Sequence, residues 1–237
     1  MKKTFQFLIL YFSIIACAQK NQQTCDDSFV RGNNFILNSD FGNAEKEFKN
    51  SIKTNPQNAN AYYGIAYLNS LQGDYNESIK NYSKAIEINE NFTLAYYGRA
   101  DDYFIMGDLI NAKKDIKRVL EQNQNLPSAY MLLTSIESQD SNFNEALKSI
   151  DKAINLQPNN SISYYVKGTL LGNNNDLDNA IINLTKSIEL NPKNGLAYVY
   201  RGTFKFQNND KIGACEDFRK AEEKGFNSKD YINNYCK

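Results

Sequence analysis

Few side chains in this sequence could catalyse a reaction, because its 237 residues include no histidine. Without an imidazole there is no Ser-His or Cys-His nucleophile, and catalysis would depend on carboxylates or lysines alone. Asp101 and Asp102 form an adjacent acidic pair. Neighbours one residue apart on a helix point in different directions, so we interpret this pair as part of a solvated helix face. The sequence therefore predicts a protein that is not an enzyme and has no cofactor.

The cysteines allow a disulfide near the end of the chain but no metal site. Cys17 and Cys25 lie near the start of the sequence, and Cys215 and Cys236 lie near its end. A bond between Cys215 and Cys236 would clamp the chain end with about 3 kcal/mol. The alternative is two separate buried thiols. Cysteines distributed in this way, without histidine, predict no zinc site.

An arginine is followed by a carboxylate 16 residues later in three places. These pairs are Arg31 with Glu47, Arg99 with Asp115, and Arg201 with Asp217. Where the first residue is Lys167, the second is the neutral Asn183. A half-buried guanidinium is costly without a carboxylate partner, so we interpret the three pairs as structural ion pairs. The alternative is a set of ligand-binding arginines.

All of these residues belong to a repeat of 34 residues. One column of the repeat contains Tyr62, Tyr96, Tyr130, Tyr164 and Tyr198, and another contains Asp40, Asp74, Asp108, Asn142, Asp176 and Asp210. A period between about 20 and 50 residues is typical of a solenoid, in which each unit buries its apolar face against its neighbours. The chain is therefore predicted to form one array.

Each repeat is predicted to be a pair of helices. Apolar residues recur at helical spacing over 61–67, and the pattern stops at Gly73, where a left-handed residue can end a helix. Asp74 follows and can cap a second helix. The equivalents of Gly73 in two other repeats, Ser39 and Ser141, tolerate a left-handed conformation less well.

The pattern of each unit resembles the tetratricopeptide repeat. In the last unit the residues that support this resemblance are Tyr198, Gly202, Ala214, Phe218 and Ala221. The resemblance spans 25–228 and implies an all-α fold, a right-handed superhelical solenoid of six 34-residue helical hairpins. A C-terminal capping helix over 229–237 is indicated by Ser228, Tyr231, Ile232 and Tyr235.

The same resemblance implies that the first helices line a concave groove that binds a partner. The candidate groove residues are Tyr63, Tyr67, Tyr97, Asp101, Phe104, Met131, Tyr165, Thr169, Val199 and Phe206. No cation occurs at the fifth and ninth positions of the units, so we do not expect the C-terminal carboxylate ligands that some family members bind with Lys and Arg. Aromatic rings suit an extended or helical segment with apolar anchors. The alternative is that some of these tyrosines only pack between repeats.

The first residues resemble an export signal. Lys2 and Lys3 precede an apolar stretch over 7–15, which is about half the roughly 20 residues that a membrane span needs. We therefore expect a signal peptide at 1–18 and a short linker at 19–24. A buried N-terminal helix is the alternative.

Two kinds of cleavage fit this signal. Residues 14–17 resemble a bacterial lipobox, which would make Cys17 the lipidated first residue of the mature protein. Residues 16–18 equally satisfy the small-x-small pattern of ordinary signal peptidase. The sequence leaves both open, and it does not indicate which membrane or leaflet would receive a lipid.

The charge balance argues against nucleic acid as a partner. Lys plus Arg and Asp plus Glu both number 27, so no net positive field attracts an anionic polymer or membrane surface. The sequence predicts an exported adaptor, periplasmic or lipid-anchored, that binds a protein or peptide partner in the cell envelope. The alternative is a structural element that self-assembles through an uncovered N-terminal rim containing Phe29 and Ile36. The oligomeric state is left open.

Overall fold

The computed structural model describes residues 27–236, and within that range the chain forms thirteen helices and no strands. The first helices of the six hairpins are α1 (Asp27–Leu37), α3 (Ala59–Gln72), α5 (Thr93–Ile105), α7 (Pro127–Gln139), α9 (Ser161–Asn173) and α11 (Gly195–Gln207). The second helices are α2 (Phe41–Thr54), α4 (Tyr75–Ile88), α6 (Leu109–Gln122), α8 (Phe143–Leu156), α10 (Leu177–Leu190) and α12 (Lys211–Glu223). A short helix, α13 (Lys229–Tyr235), follows the sixth hairpin. The predicted all-α helical repeat is confirmed.

The chain divides into two compact units between Gln124 and Asn125. The described part of the N-terminal unit contains α1 to α6, and the C-terminal unit contains α7 to α13. The predicted signal peptide, the linker, Cys17 and Cys25 lie outside the described residues. No helix within 27–236 is long and apolar enough to cross a membrane.

The turn inside each hairpin follows one pattern. Gly73 and Gly107 adopt positive φ angles of 85° and 81°, and the same position is left-handed at Ser39, Ser141, Asn175 and Asn209. Five of the six following residues accept a hydrogen bond from a backbone amide in the next helix and cap it, as predicted: Asp40, Asp74, Asp108, Asp176 and Asp210. Asn142 makes no such bond, because its side-chain amide donates to Asp140 instead.

One column of large side chains forms the core of both units. Each is at most 2% exposed and projects from the middle of a second helix; the residues are Phe48, Tyr82, Ile116, Ile150, Leu184 and Phe218. First helices approach these side chains closely through small residues. A Cβ atom added at Gly64 would lie 2.6 Å from the Phe48 ring, and one at Gly202 would lie 2.8 Å from the Phe218 ring. Glycine at these points therefore permits the packing.

The expectation of an uncovered N-terminal rim is wrong for two of its residues. Phe29 is 4% exposed and Ile36 is 7% exposed, and both belong to a buried cluster with Phe48, Ile65 and Leu68. The ring centroids of Phe29 and Phe48 lie 5.9 Å apart. These side chains pack with side chains of α2 and α3, so they do not form an exposed apolar rim.

Candidate partner-binding surfaces

The candidate groove residues lie on first helices, and in the N-terminal unit they centre on four packed rings. We call Tyr63, Tyr67, Tyr82 and Phe92 the tyrosine cluster. The Tyr63 ring lies 6.5 Å from that of Tyr67, 5.7 Å from that of Tyr82 and 5.2 Å from that of Phe92. Tyr63 is only 4% exposed, whereas Tyr67 is half-buried. Tyr63 thus belongs to the core, and Tyr67 presents the cluster to solvent.

Burial keeps the hydroxyls of the tyrosine cluster neutral over a wide pH range. It raises the pKa of Tyr67 to about 12 and that of Tyr63 further. The pKa of Tyr82 is raised well above its usual value, first by burial, then by Tyr63 and by the negative charge of Asp102. The cluster therefore offers an uncharged aromatic surface at physiological pH.

We predicted that the acidic pair Asp101 and Asp102 lies on a solvated helix face. The prediction is wrong for Asp102, which lies beside the tyrosine cluster in the interior. Asp102 is fully buried and accepts a hydrogen bond of 2.7 Å from the Ser70 hydroxyl on the preceding first helix. Asp101 is half-buried, as are Tyr97 and Phe104. The prediction was wrong for Asp102 because its side chain faces the neighbouring hairpin, where a hydroxyl donor compensates for the lost water.

The C-terminal unit has a cleft between α7 and α9 with a volume of about 290 Å³. Its lining consists of Thr134, Ser135, Ser138, Gln139, Val166, Thr169, Leu170 and Asn173. Three hydroxyls donate to carbonyl groups of their own helices: Thr134 to Tyr130, Ser135 to Met131, and Thr169 to Val166. The amides of Gln139 and Asn173 are exposed at its edge. None of the lining residues is charged.

The remaining candidates in the C-terminal unit differ in exposure. Met131 is half-buried and its sulfur accepts from the Ser163 hydroxyl at 3.4 Å. Tyr165 is half-buried against Tyr200, with ring centroids 5.6 Å apart, and burial raises its pKa to about 12. Val199 is only 3% exposed and belongs to the core. Of the predicted residues in this unit, only Thr169 lines the cleft.

The three predicted ion pairs join the two helices of their hairpins. Arg31 lies 2.8 Å from Glu47, while Arg99 and Arg201 each donate two hydrogen bonds, to Asp115 and to Asp217 respectively. Burial of the pairs differs: the arginine side chains are 52%, 17% and 11% exposed in chain order. The last pair also includes Lys205, whose ammonium lies 3.0 Å from Asp217.

The arginine of each buried pair also donates to a hydroxyl, a contact that we did not predict from the sequence. Arg99 donates to the Ser83 hydroxyl at 2.8 Å, and Arg201 donates to the Thr185 hydroxyl at 3.0 Å. Both hydroxyls lie 16 residues before the arginine, on the preceding hairpin. Lys167 follows the same rule and contacts Asp151 at 2.6 Å rather than Asn183. The repeated spacing was the signal that could have revealed this second partner.

Two models of the tetratricopeptide repeat match the sequence, one over residues 59–92 and the other over 150–182. The first match comprises the hairpin of α3 and α4. The chain is a tetratricopeptide repeat protein. No curated protein sequence matches it significantly.

Solved structures of other tetratricopeptide repeat proteins have a similar fold. YrrB, described as a TPR protein with an unusual peptide-binding site, has 22% identity and a TM-score of 0.62, over 75% of this chain and 91% of its own. A tetratricopeptide repeat protein from Parabacteroides merdae ATCC 43184 has 20% identity and a TM-score of 0.66, over 100% and 97%. PilF of Pseudomonas aeruginosa has 12% identity and a TM-score of 0.72, over 83% and 89%. Tetratricopeptide repeat proteins typically bind protein or peptide partners, and the fold supports a role as an interaction scaffold.

The end of this tetratricopeptide repeat protein is closed by α13 and a disulfide. Cys215 and Cys236 are bonded, with Cα atoms 5.6 Å apart. Phe206, a candidate groove residue, packs against Tyr235 of α13, with ring centroids 4.6 Å apart.

Within 27–236 no group of three or more potential metal ligands occurs.

Proposed function

We propose that this tetratricopeptide repeat protein is a non-enzymatic adaptor that binds an uncharged segment of a partner protein in the cleft between α7 and α9. The observation that supports this proposal is the lining of the cleft, which combines hydroxyls and amides and contains no charged side chain. Amides and hydroxyls can both donate to and accept from a peptide backbone. The absence of charge among them disfavours a carboxylate or phosphate ligand.

The size of the cleft favours a peptide anchor over a small-molecule substrate. Ligand pockets typically measure about 300 to 1,000 Å³, so the cleft of about 290 Å³ is at their lower limit. A side chain of an extended segment would enter it, with Val166 and Leu170 as the apolar contacts. The exposed amides of Gln139 and Asn173 would then bind the adjacent main chain.

The tyrosine cluster extends this proposal to the N-terminal unit. Tyr67 presents an uncharged ring, and Asp101 lies on the same helical surface as the half-buried Tyr97 and Phe104. Rings beside a carboxylate favour apolar or basic side chains, because a cation is attracted both to the ring face and to the negative charge. This surface would select against acidic segments.

A peptide array tests the cleft. Purified full-length protein is incubated with immobilised ten-residue peptides of systematically varied composition, and the best peptide is then titrated in solution. Replacing Gln139 and Asn173 together by alanine should weaken binding at least about tenfold, since two main-chain contacts are lost. Asn144 and Asn155 are exposed amides on α8, and their double alanine variant is the matched control. Equal weakening in both variants, or binding only of acidic peptides, would contradict the proposal.

We also propose that the protein is exported and held in the cell envelope by a lipid on Cys17. The lipobox-like residues 14–17 support this, and the Cys215–Cys236 disulfide is typical of a protein in an oxidising compartment. Cells fed labelled palmitate should incorporate the label into the native protein and not into a Cys17→Ser variant. If the native protein remains unlabelled and its N-terminus is Gln19, ordinary signal peptidase acts instead. Cytoplasmic protein that retains Met1 would contradict export itself.

A further inference from the structure

The last helix of the chain is in register with a seventh repeat. Lys229 begins α13 and lies 34 residues after Gly195, which begins α11. α13 has 7 residues, whereas α11 has 13. Cys236 comes next, at the position that Gly202 occupies in the sixth hairpin. Within the described residues, α13 thus corresponds to about the first half of a first helix.

The contacts of α13 with the sixth hairpin come from two tyrosine rings, with Tyr235 against Phe206, and from the buried Ser228 that precedes the helix. The rings of Tyr231 and Tyr235 lie 5.2 Å and 5.9 Å from the Phe218 ring. The Ser228 hydroxyl donates to the Phe218 carbonyl at 2.6 Å. No residue of α13 is buried, and Tyr235 is 40% exposed. A helix of two turns has little stability of its own, so α13 depends on these contacts and on the disulfide that follows it.

The disulfide adds a covalent constraint to these contacts. Cys215 lies on α12 and is 9% exposed, and Cys236 immediately follows α13. The bond therefore fixes the free end of α13 on α12. Beneath it lie the fully buried Phe218 and the half-buried Phe206. Both rings contact the tyrosines of α13, so both lose this cover if α13 leaves.

We propose that the Cys215–Cys236 disulfide is a redox-sensitive switch that controls whether α13 covers Phe206 and Phe218. A dithiol reductant transfers two electrons and two protons to the disulfide, which yields the two cysteine thiols and the oxidised, cyclic reductant. With the bond broken, α13 detaches and the apolar end of the sixth hairpin is exposed. This inference does not rest on the proposed peptide cleft, whose lining residues belong to α7 and α9.

Hydrogen exchange followed by mass spectrometry tests the switch on the full-length protein. In the oxidised protein, amides of α13 should exchange slowly. After dithiothreitol, they should exchange at least about tenfold faster, because the covalent constraint is lost. Amides of α10, in the same unit, should be unchanged. Unchanged α13 exchange would overturn the proposal, as would faster exchange in α10, since reduction would then unfold the repeats.

A variant provides a second and independent measurement. Cys215→Ser with Cys236→Ser should exchange in α13 like the reduced native protein, with or without dithiothreitol. Binding of a fluorescent apolar dye should rise on reduction of the native protein, because Phe206 and Phe218 become accessible. If the double variant fails to fold, shown by loss of far-ultraviolet circular dichroism, the measurements on native protein remain decisive. Slow α13 exchange in the folded double variant, or no rise in dye binding, would overturn the proposal.

Discussion

The two units of the protein have the same kind of core, but the side chains on their first helices differ. At the ninth position of the repeats, the N-terminal unit has the buried Asn33 and the more accessible Tyr67 and Asp101, while the C-terminal unit has Ser135, Thr169 and Thr203. The first set gives an aromatic and acidic surface, and the second set contributes to an uncharged surface of hydroxyls. The position of a residue in the repeat therefore determines where it lies, but not what chemistry it contributes.

The comparison shows at which positions of the repeat the fold restricts the type of residue. The large apolar residue in the middle of the second helix is fully buried in both units, as Phe48 and Leu184 illustrate. A charged residue there would lose its hydration without a partner in the core. The ninth position of the first helix is half-buried at Tyr67 and at Thr169, and it accepts an aromatic ring or a hydroxyl. The chemistry of the surface can therefore change at this position without loss of the fold.

The largest expected effect is a loss of stability at high pH that is greater in the N-terminal unit, which contains Tyr63, Tyr67 and Tyr82, than in the C-terminal unit, where the pKa of Tyr165 is raised. The folded-state pKa of Tyr67 is about 12, above the ordinary value of 10.0. The unfolded chain therefore loses its proton first, so the stability is complete below pH 10 and falls as the pH rises toward 12. The pKa values of Tyr63 and Tyr82 are raised in the same direction. Circular dichroism during alkaline titration should report this loss.

A pair of tyrosine variants assigns the alkaline transition to the tyrosine cluster. Tyr67→Phe removes one ionising hydroxyl and should move the midpoint upward by about half a pH unit. Tyr75 lies at the start of α4, outside the cluster, and Tyr75→Phe should leave the midpoint unchanged. A shift of equal size in both variants would mean that the alkaline transition does not arise from the tyrosine cluster.

The next largest effect concerns the ion pairs. Asp217 is 1% exposed and contacts both Arg201 and Lys205. Asp217→Asn should lower the free energy of unfolding by about 3 kcal/mol, because two partly buried cations lose their counter-charge. Asp115→Asn, in the N-terminal unit, leaves only Arg99 without a counter-charge. It should therefore lower the free energy of unfolding by less than Asp217→Asn does. Urea denaturation measures both values.

Two further variants calibrate the ion-pair result. Glu47→Gln should cost no more than about 1 kcal/mol, because Arg31 is half exposed and solvent screens the pair. Asn183→Asp introduces a carboxylate at the matching position of the fifth repeat, and its effect should be within about 0.5 kcal/mol. If Asn183→Asp destabilises as much as Asp217→Asn, the pairing has no stabilising role.

A smaller loss of stability is expected from glycine substitutions in the core, and it should be equal in the two units. Gly64→Ala would place a Cβ atom 2.6 Å from the Phe48 ring, and Gly168→Ala would place one 2.7 Å from Leu184. Each change should cost about 2 kcal/mol through overpacking. Gly42 has free space around it, and Gly42→Ala should stabilise α2 by about 0.5 kcal/mol. Thermal denaturation would show whether the two cores respond alike; a neutral result in one unit alone would contradict a common core.

The smallest effect tests whether the ion-pair rule can be extended to the fifth repeat. Lys167→Arg combined with Asn183→Asp should recreate the pair seen in the third and sixth repeats. A double-mutant cycle in urea should give a favourable coupling of about 0.5 kcal/mol, since the new guanidinium remains partly exposed. A coupling of zero would mean that the stabilisation by Arg201 and Asp217 comes from burial by the surrounding repeats and not from the residue pair itself.

Much of the fold could be predicted from the sequence because the repeats act as controls for one another. The left-handed turn and the capping aspartate depend on adjacent residues, so their pattern is visible locally. Asn142 deviates because Asp140 offers a competing acceptor. The arginine pairs were predictable because the arginine and the carboxylate change together from one copy to another.

The site was harder to predict because it depends on contacts between hairpins. Asp102 is buried because Ser70, 32 residues earlier, supplies a donor, and a single helix pattern contains no sign of this contact. The cleft between α7 and α9 exists because of the side-chain volumes on two helices. Neither the partner segment nor the exposed amides at its edge could be assigned from spacing alone.

The hairpin order has a kinetic consequence. Within each unit, helices pack mainly on the helix that follows and on the next one along the chain. Little chain entropy is lost in closing such short loops, and proteins dominated by local contacts fold in microseconds to milliseconds. A nucleus can form in whichever hairpin orders first, and the neighbouring hairpins then join it one after another.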